Sequence, residues 1–265
     1  MGNLLHRRST WILAAPVAVL AVLVWPGDPA GAQDSQQPQL LRVTLVQLKP
    51  ETAPQWAELQ RTELIPAQKK GGLPWRDTWA SATSGDVYQR AILTPISSLA
   101  QYDGQAPIVK ALGQQGAQAF GEKSRRLVAS SRGEIIRTRP DLGFGRRPAK
   151  PNIGLLTTII VANGRGADFE SFLRTEVIPG LKKANVGYYA VSQMVYGGDA
   201  NQYMTLLTFD NFAELAKGHP LERALGESGM ARLGQKSAAF VVKLERTLIR
   251  YLADLSYGPA SPTSE

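Results

Sequence analysis

The chain contains no cysteine, which excludes disulfides, thiolate metal centres, CxxCH haem attachment, lipoprotein anchoring and cysteine nucleophiles together. Histidine is almost as scarce: only His6 and His219 occur. With His6 in a segment read below as removable, a histidine zinc site is excluded and a Ser-His-Asp triad would depend on His219 alone. No glycine-rich phosphate loop is present, since Gly113 and Gly116, like Gly226 and Gly229, read as helix terminators rather than GxxxxGK[ST]. Long runs of one charge are missing too. Lys69-Lys70, Arg125-Arg126, Arg146-Arg147 and Lys182-Lys183 are isolated pairs, so the net charge of +8 reads as a solvated basic surface and no specific nucleic-acid partner is expected. The longest apolar stretch, Trp11 to Trp25, falls short of the ~20 residues of a membrane span and runs straight into Pro26.

That stretch has another reading. Arg7-Arg8 precede it and Ala30-Gly31-Ala32 follow it, the pattern of an export signal over residues 1–32 cut after Ala32. Arg7-Arg8 followed by Ser-Thr-Trp also has a weak twin-arginine character, which leaves the export route open. The expected mature protein is periplasmic or secreted, starts near Gln33 and keeps no transmembrane anchor.

Internal repetition dominates the remainder. Arg61-Thr62-Glu63-Leu64-Ile65-Pro66 recurs as Arg174-Thr175-Glu176-Val177-Ile178-Pro179, displaced by 113 positions. At the same displacement, and without a gap, Gly85-Asp86 meets Gly198-Asp199, Ala111-Leu112-Gly113 meets Ala224-Leu225-Gly226, and Ile136-Arg137 meets Ile249-Arg250. Residues 41–145 and 154–258 share 27 identities in 105 positions in one constant register, which marks a tandem duplication. Residues 146–153 are the linker, and 259–265 a disordered tail.

One reading must suit both repeats. A strand at 41–48 or 154–162 precedes a helix near 52–70 or 166–184, which the Ile-Pro step breaks or kinks. Two strands follow, 74–82 and 87–94 or 187–196 and 201–208, joined by Ser84-Gly85-Asp86 or Gly197-Gly198-Asp199. A short helix starts at Pro107 or Pro220 and ends at Gly113 or Gly226. A longer helix runs to about Ser131 or Glu245, before a last strand at 134–140 or 247–253. The order βαββαβ is the ferredoxin-like unit, so the fold class is α+β. Each four-stranded sheet needs cover on its second face, and the other repeat can supply it.

At this point the chain resembles the dimeric α/β-barrel superfamily, in which two ferredoxin-like units make one barrel. The run Phe212-Ala213-Glu214-Leu215-Ala216-Lys217-Gly218-His219-Pro220-Leu221 is similar to the corresponding stretch of NIPSNAP-type and antibiotic-biosynthesis-monooxygenase-type members. The resemblance implies an intramolecular α/β barrel and, because both halves lie in one chain, a monomer with a pseudo-twofold axis. It spans monooxygenases, isomerases and haem enzymes, so it points to a fold before a function. In haem-degrading members the ligand histidine lies one to two turns farther along, where this chain has Leu225-Gly226. His219 is therefore read as a helix-entrance residue, and no cofactor or metal is expected.

Six residues are candidates for ligand binding. Trp75, Asp77 and Trp79 share one face of a strand by alternation, placing a carboxylate between two indoles. Tyr188 belongs to the equivalent strand of the second repeat. Arg137 and Arg250 are charges among apolar neighbours: inside the barrel each needs a carboxylate or an anionic ligand, and on the outer side each snorkels, the favoured reading. The repeated Arg-Thr-Glu is read as a helix–barrel junction built twice. A non-catalytic protein binding a small apolar or anionic molecule is the favoured function. The alternative is a cofactor-free, monooxygenase-like enzyme whose interior is lined by Trp75, Asp77 and Trp79.

Overall fold

The computed structural model describes residues 37–258; the expected export signal and the C-terminal tail lie outside them. The first repeat comprises β1 (Leu40–Leu48), α1 (Ala53–Leu59), α2 (Ile65–Lys70), β2 (Asp77–Ser81), β3 (Gln89–Ile96), α3 (Pro107–Leu127) and β4 (Val128–Thr138). After the two-residue β5 (Phe144–Gly145), the second repeat supplies β6 (Ile153–Val161), α4 (Gly166–Phe172), α5 (Ile178–Lys183), β7 (Tyr188–Tyr196), β8 (Gln202–Phe209), α6 (Phe212–Leu215), α7 (Pro220–Ser237) and β9 (Val241–Tyr251). Among the described residues, no helix is long and apolar enough to cross a membrane.

The strands follow the order β4-β1-β3-β2-β9-β6-β8-β7, and β7 returns to β4, so eight antiparallel strands close a barrel. Two seams join the repeats and carry one register. Ile136 opposes Met194, Arg137 opposes Gln193 and Thr138 opposes Ser192 across β4–β7. Ile249 opposes Ser81, Arg250 opposes Ala80 and Tyr251 opposes Trp79 across β9–β2. Each pair maps onto its counterpart through the repeat displacement, so the duplication seen in sequence is a pseudo-twofold axis in space. The bulge at Gln47/Leu48 is likewise repeated at Ile160/Val161.

Strand alternation sorts the side chains. Leu41, Val43, Ile136 and Met194 fill the barrel interior, while the neighbouring positions face the helices. Beneath the second repeat's helices Ile153, Phe169, Leu173, Leu181, Tyr189 and Leu233 belong to the largest buried cluster; the first repeat has only a small one, around Leu48, Trp56, Ile65 and Leu255.

Three local expectations change. The last strand of each repeat starts six residues early, at Val128 and Val241, because it pairs along the whole of β1 or β6, out to Leu48↔Val128 and Val161↔Val241. The long helices accordingly stop at Leu127 and Ser237. The Ile-Pro step does not break its helix. A π turn over Gln60–Leu64, repeated over Leu173–Val177, widens the backbone just before the proline and keeps right-handed helical dihedrals throughout. Gly113 and Gly226, with φ 71° and 67°, interrupt α3 and α7 where glycines were expected to end the short helices.

The repeated Arg-Thr-Glu stitches this scaffold. Arg61 reaches Asp254 at 2.7 Å and Arg174 reaches Asp141 at 2.8 Å, so each repeat's arginine grips the turn that ends the other repeat. Glu63 pairs with Lys123, and Glu176 with Lys236, tying the first helical layer to the second.

Candidate functional site

The two repeats differ most between sheet and helices. Four positions that are Leu173, Leu181, Tyr189 and Val191 in the second repeat are Gln60, Gln68, Arg76 and Thr78 in the first. Leu155 and Leu207 likewise correspond to Arg42 and Thr94. Unbranched and polar side chains do not fill a layer that branched and aromatic ones pack. Helix α7 buries Pro220, Leu221 and Leu233, whereas α3 buries none of its residues. The space left is a cleft of about 1670 Å³ between the outer face of β1 and β3 and helices α1 to α3.

Trp56, Leu64, Ile92 and Phe120 give this cleft apolar walls. Its cations are Arg42, Lys110 and Arg125, and no carboxylate occurs among the described residues that line it. Polar groups converge on its floor. The Arg76 side chain is wholly buried, with Nη2 donating to Gln60 Oε1 at 2.8 Å, Nη1 to Gln68 Oε1 at 3.0 Å and Nε to Thr78 Oγ1 at 3.2 Å. The Thr78 hydroxyl in turn donates to the Leu255 carbonyl at 2.7 Å. Burial without a carboxylate partner pulls the Arg76 pKa down to about 10, which still leaves it charged at neutral pH. Close by, the Tyr257 hydroxyl is buried without a hydrogen-bond partner, and burial pushes its pKa up to about 12.

A second polar group sits inside the barrel. Asp77 accepts from Arg147 Nη1 at 2.6 Å and from the Tyr251 hydroxyl at 3.2 Å. Trp79 meets Tyr251 edge-on at 5.1 Å, and the Arg147 guanidinium lies 5.7 Å from the Tyr251 ring centroid. Burial raises the pKa of Tyr188 and of Tyr251. Burial lowers the pKa of Arg147, but Asp77 together with Tyr251 and Tyr188 lifts it above its ordinary value; the Arg147 Nη2 is buried without an acceptor.

The six residues proposed from sequence therefore do not form one site. Asp77, Trp79 and Tyr188 point into the barrel, where their charges and rings share the Arg147 environment. Trp75 stands at the rim, packing against the interior cluster while bordering the cleft. Arg137 and Arg250 are on the outer, helix-facing side and exposed; Arg250 lies over the Phe212 ring at 5.6 Å, as snorkelling predicts. His219 caps α7, its Nδ1 accepting from the Leu221 amide at 3.2 Å while Glu222 reaches back to its own amide. Sequence reasoning missed Arg147, which lies in the expected linker, and the set formed by buried Gln60 and Arg76 with half-buried Gln68.

A closed barrel made of two ferredoxin-like units, with helices outside, defines the dimeric α/β-barrel fold, here completed within one chain. No protein-family model matches the sequence, and no curated protein matches it. Solved structures do. A candidate monooxygenase from Lactobacillus acidophilus NCFM aligns over 83% of this chain and 96% of its own, with a TM-score of 0.53 at 9% identity. A second candidate monooxygenase, from Fusobacterium nucleatum, covers 84% and 95% with a TM-score of 0.57 at 9% identity. A NIPSNAP family protein from Agrobacterium tumefaciens aligns 90% of its length with 37% of this chain, at 18% identity and a TM-score of 0.29.

Proposed function

We propose that this chain is an exported, non-catalytic module that binds a small amphipathic molecule, anionic in part, in the cleft of its first repeat. The observation that carries the reading is the cleft itself: apolar walls, three cations and no described carboxylate, in the repeat whose twin fills the same layer with core. Mixed walls of this kind suit a ligand with an apolar body and a polar end. Export rests on the residue 1–32 signal, and a monomer on the barrel's closure within one chain.

Native mass spectrometry of protein purified from its own cell envelope tests this. A mature N-terminus at Gln33, a single protein copy and a bound anionic amphiphile released unchanged are expected. Retention of residues 1–32 would remove the export assignment, and a stable dimer the monomer.

A cofactor-free monooxygenase-like activity is the second reading, favoured by the grouping of Asp77, Trp79, Tyr251 and Arg147 inside the barrel. Oxygen consumption on the released compound, lost in Trp79→Phe or Asp77→Asn, would make that reading the better one.

A further inference from the structure

The cleft floor has its hydrogen-bonding character set from behind. Gln60 and Gln68 both present Oε1 to Arg76. An amide turned the other way would place its hydrogens against those of the guanidinium, donor against donor. What each glutamine keeps for the cleft it lines is its Nε2 group, which can only donate. Accepting a bond from a cation polarises each carboxamide and makes those N–H groups stronger donors.

The charge behind them is unbalanced. Among the described residues no carboxylate pairs with Arg76; three neutral oxygens hold it. A buried charge without a counterion is costly, and the fold does not require this one, because Leu173, Leu181, Tyr189 and Val191 occupy the matching positions of the second repeat. Two amide donors set over a buried cation, in a cleft with apolar walls and no carboxylate among its described lining residues, fit an anionic ligand end.

We propose that the Nε2 groups of Gln60 and Gln68, backed by Arg76, bind the carboxylate of an amphipathic acid whose apolar body lies along Trp56, Leu64, Ile92 and Phe120. The proposal rests on the reading of the cleft as a small-molecule site and adds the ligand's polar end and its orientation, carboxylate inward. Arg76 is a positioning residue, touching the glutamines rather than the ligand. Arg42, Lys110 and Arg125 attract the anion and leave its orientation to the floor.

The test is a fluorescence titration of the mature protein with cis-parinaric acid, a long-chain polyene carboxylic acid, and with the matching alcohol. The wild type binds the acid at least about tenfold more tightly. Gln60→Leu/Gln68→Leu removes that preference and leaves the alcohol's affinity unchanged. Gln60→Glu, which gives Arg76 a carboxylate of its own, weakens the acid further while holding or raising the melting temperature, which separates lost recognition from lost folding. Equal affinities for acid and alcohol, unaltered by these changes, would overturn the proposal and leave the cleft reading intact. So would loss of the preference in Arg42→Ala/Arg125→Ala but not in the glutamine variants, since the carboxylate would then sit at the rim. Binding of neither probe would overturn the cleft reading as well.

Discussion

The two halves of this barrel share a register and differ in what lies under their helices. In the second, Phe169, Leu173, Leu181, Tyr189 and Leu233 pack into a continuous core; in the first, Trp56 and Phe120 stand over a polar floor with open space between. A duplicated domain can divide labour in this way. One repeat supplies most of the apolar burial that holds the barrel, and this frees the other to carry groups that cost stability. Buried polar residues such as Arg76 are tolerable there because each found acceptor spans a short distance and because the seams anchor the first sheet to the second.

Making the second repeat resemble the first is the harshest way to break this division. Leu181→Gln puts an unpaired carboxamide into a packed layer and is expected to cost about 3 kcal/mol, and the fourfold change to Gln, Gln, Arg and Thr at 173, 181, 189 and 191 to abolish folding, as read by urea denaturation. Leu233→Ala should cost about 3 kcal/mol through its cavity. Phe120→Ala, at the matching position beside the cleft, should cost only about 1 kcal/mol, because open space already borders its ring. The reverse exchange, Gln60→Leu/Gln68→Leu/Arg76→Tyr/Thr78→Val, should leave stability unchanged or raise it by about 1–4 kcal/mol while the cleft loses its ligand.

A second contrast lies between the two seams. Near β4–β7, Arg139 holds Asp141 and Glu170, and Tyr203 donates to Glu170 at 3.0 Å; Leu252, Ala57 and Arg90 occupy the matching positions of Arg139, Glu170 and Tyr203 near β2–β9. The Arg139 guanidinium pulls Asp141 down to about 2 and lowers Glu170 as well. Carboxyls with depressed folded pKa values stabilise above their unfolded values and lose that contribution as pH falls through the folded ones. Arg139→Leu should therefore cost about 2 kcal/mol at pH 7, discounted for the exposure of Asp141. The gap from wild type should close as the pH is lowered from about 4.5 to 2. The smallest effect belongs to the exposed stitches: Lys123→Ala should cost about 0.5 kcal/mol or less, and less again in high salt, by thermal melting.

Much of this architecture was legible in the sequence because a constant displacement constrains every element twice. Strand alternation placed Asp77 and Trp79 on one face correctly, and the proline and glycine pattern located the interrupted helices. The start of β4 was hidden because Ala129 to Glu134 show no apolar alternation; their strand is imposed by β1. Arg147 was hidden for a related reason, since only closure of the barrel brings the linker to Asp77. The cleft had a signal that agreement between the repeats concealed. Gln60 against Leu173, Gln68 against Leu181 and Arg76 against Tyr189 are disagreements at core positions, and in a duplicated chain the mismatches mark the site while the matches mark the scaffold.

The seams also set an order of events. Strand β2, paired with β3 on one side, finds its second partner only in β9, at the far end of the chain, and the arginine of α1's π turn waits for Asp254 beyond it. Until synthesis has released that last strand, the first sheet keeps one edge open and the barrel cannot exist. Loop closure over such a span makes folding slow and late. The open edge of β2 thus persists for as long as the chain is incomplete, and truncation even a few residues before Tyr251 would make it permanent.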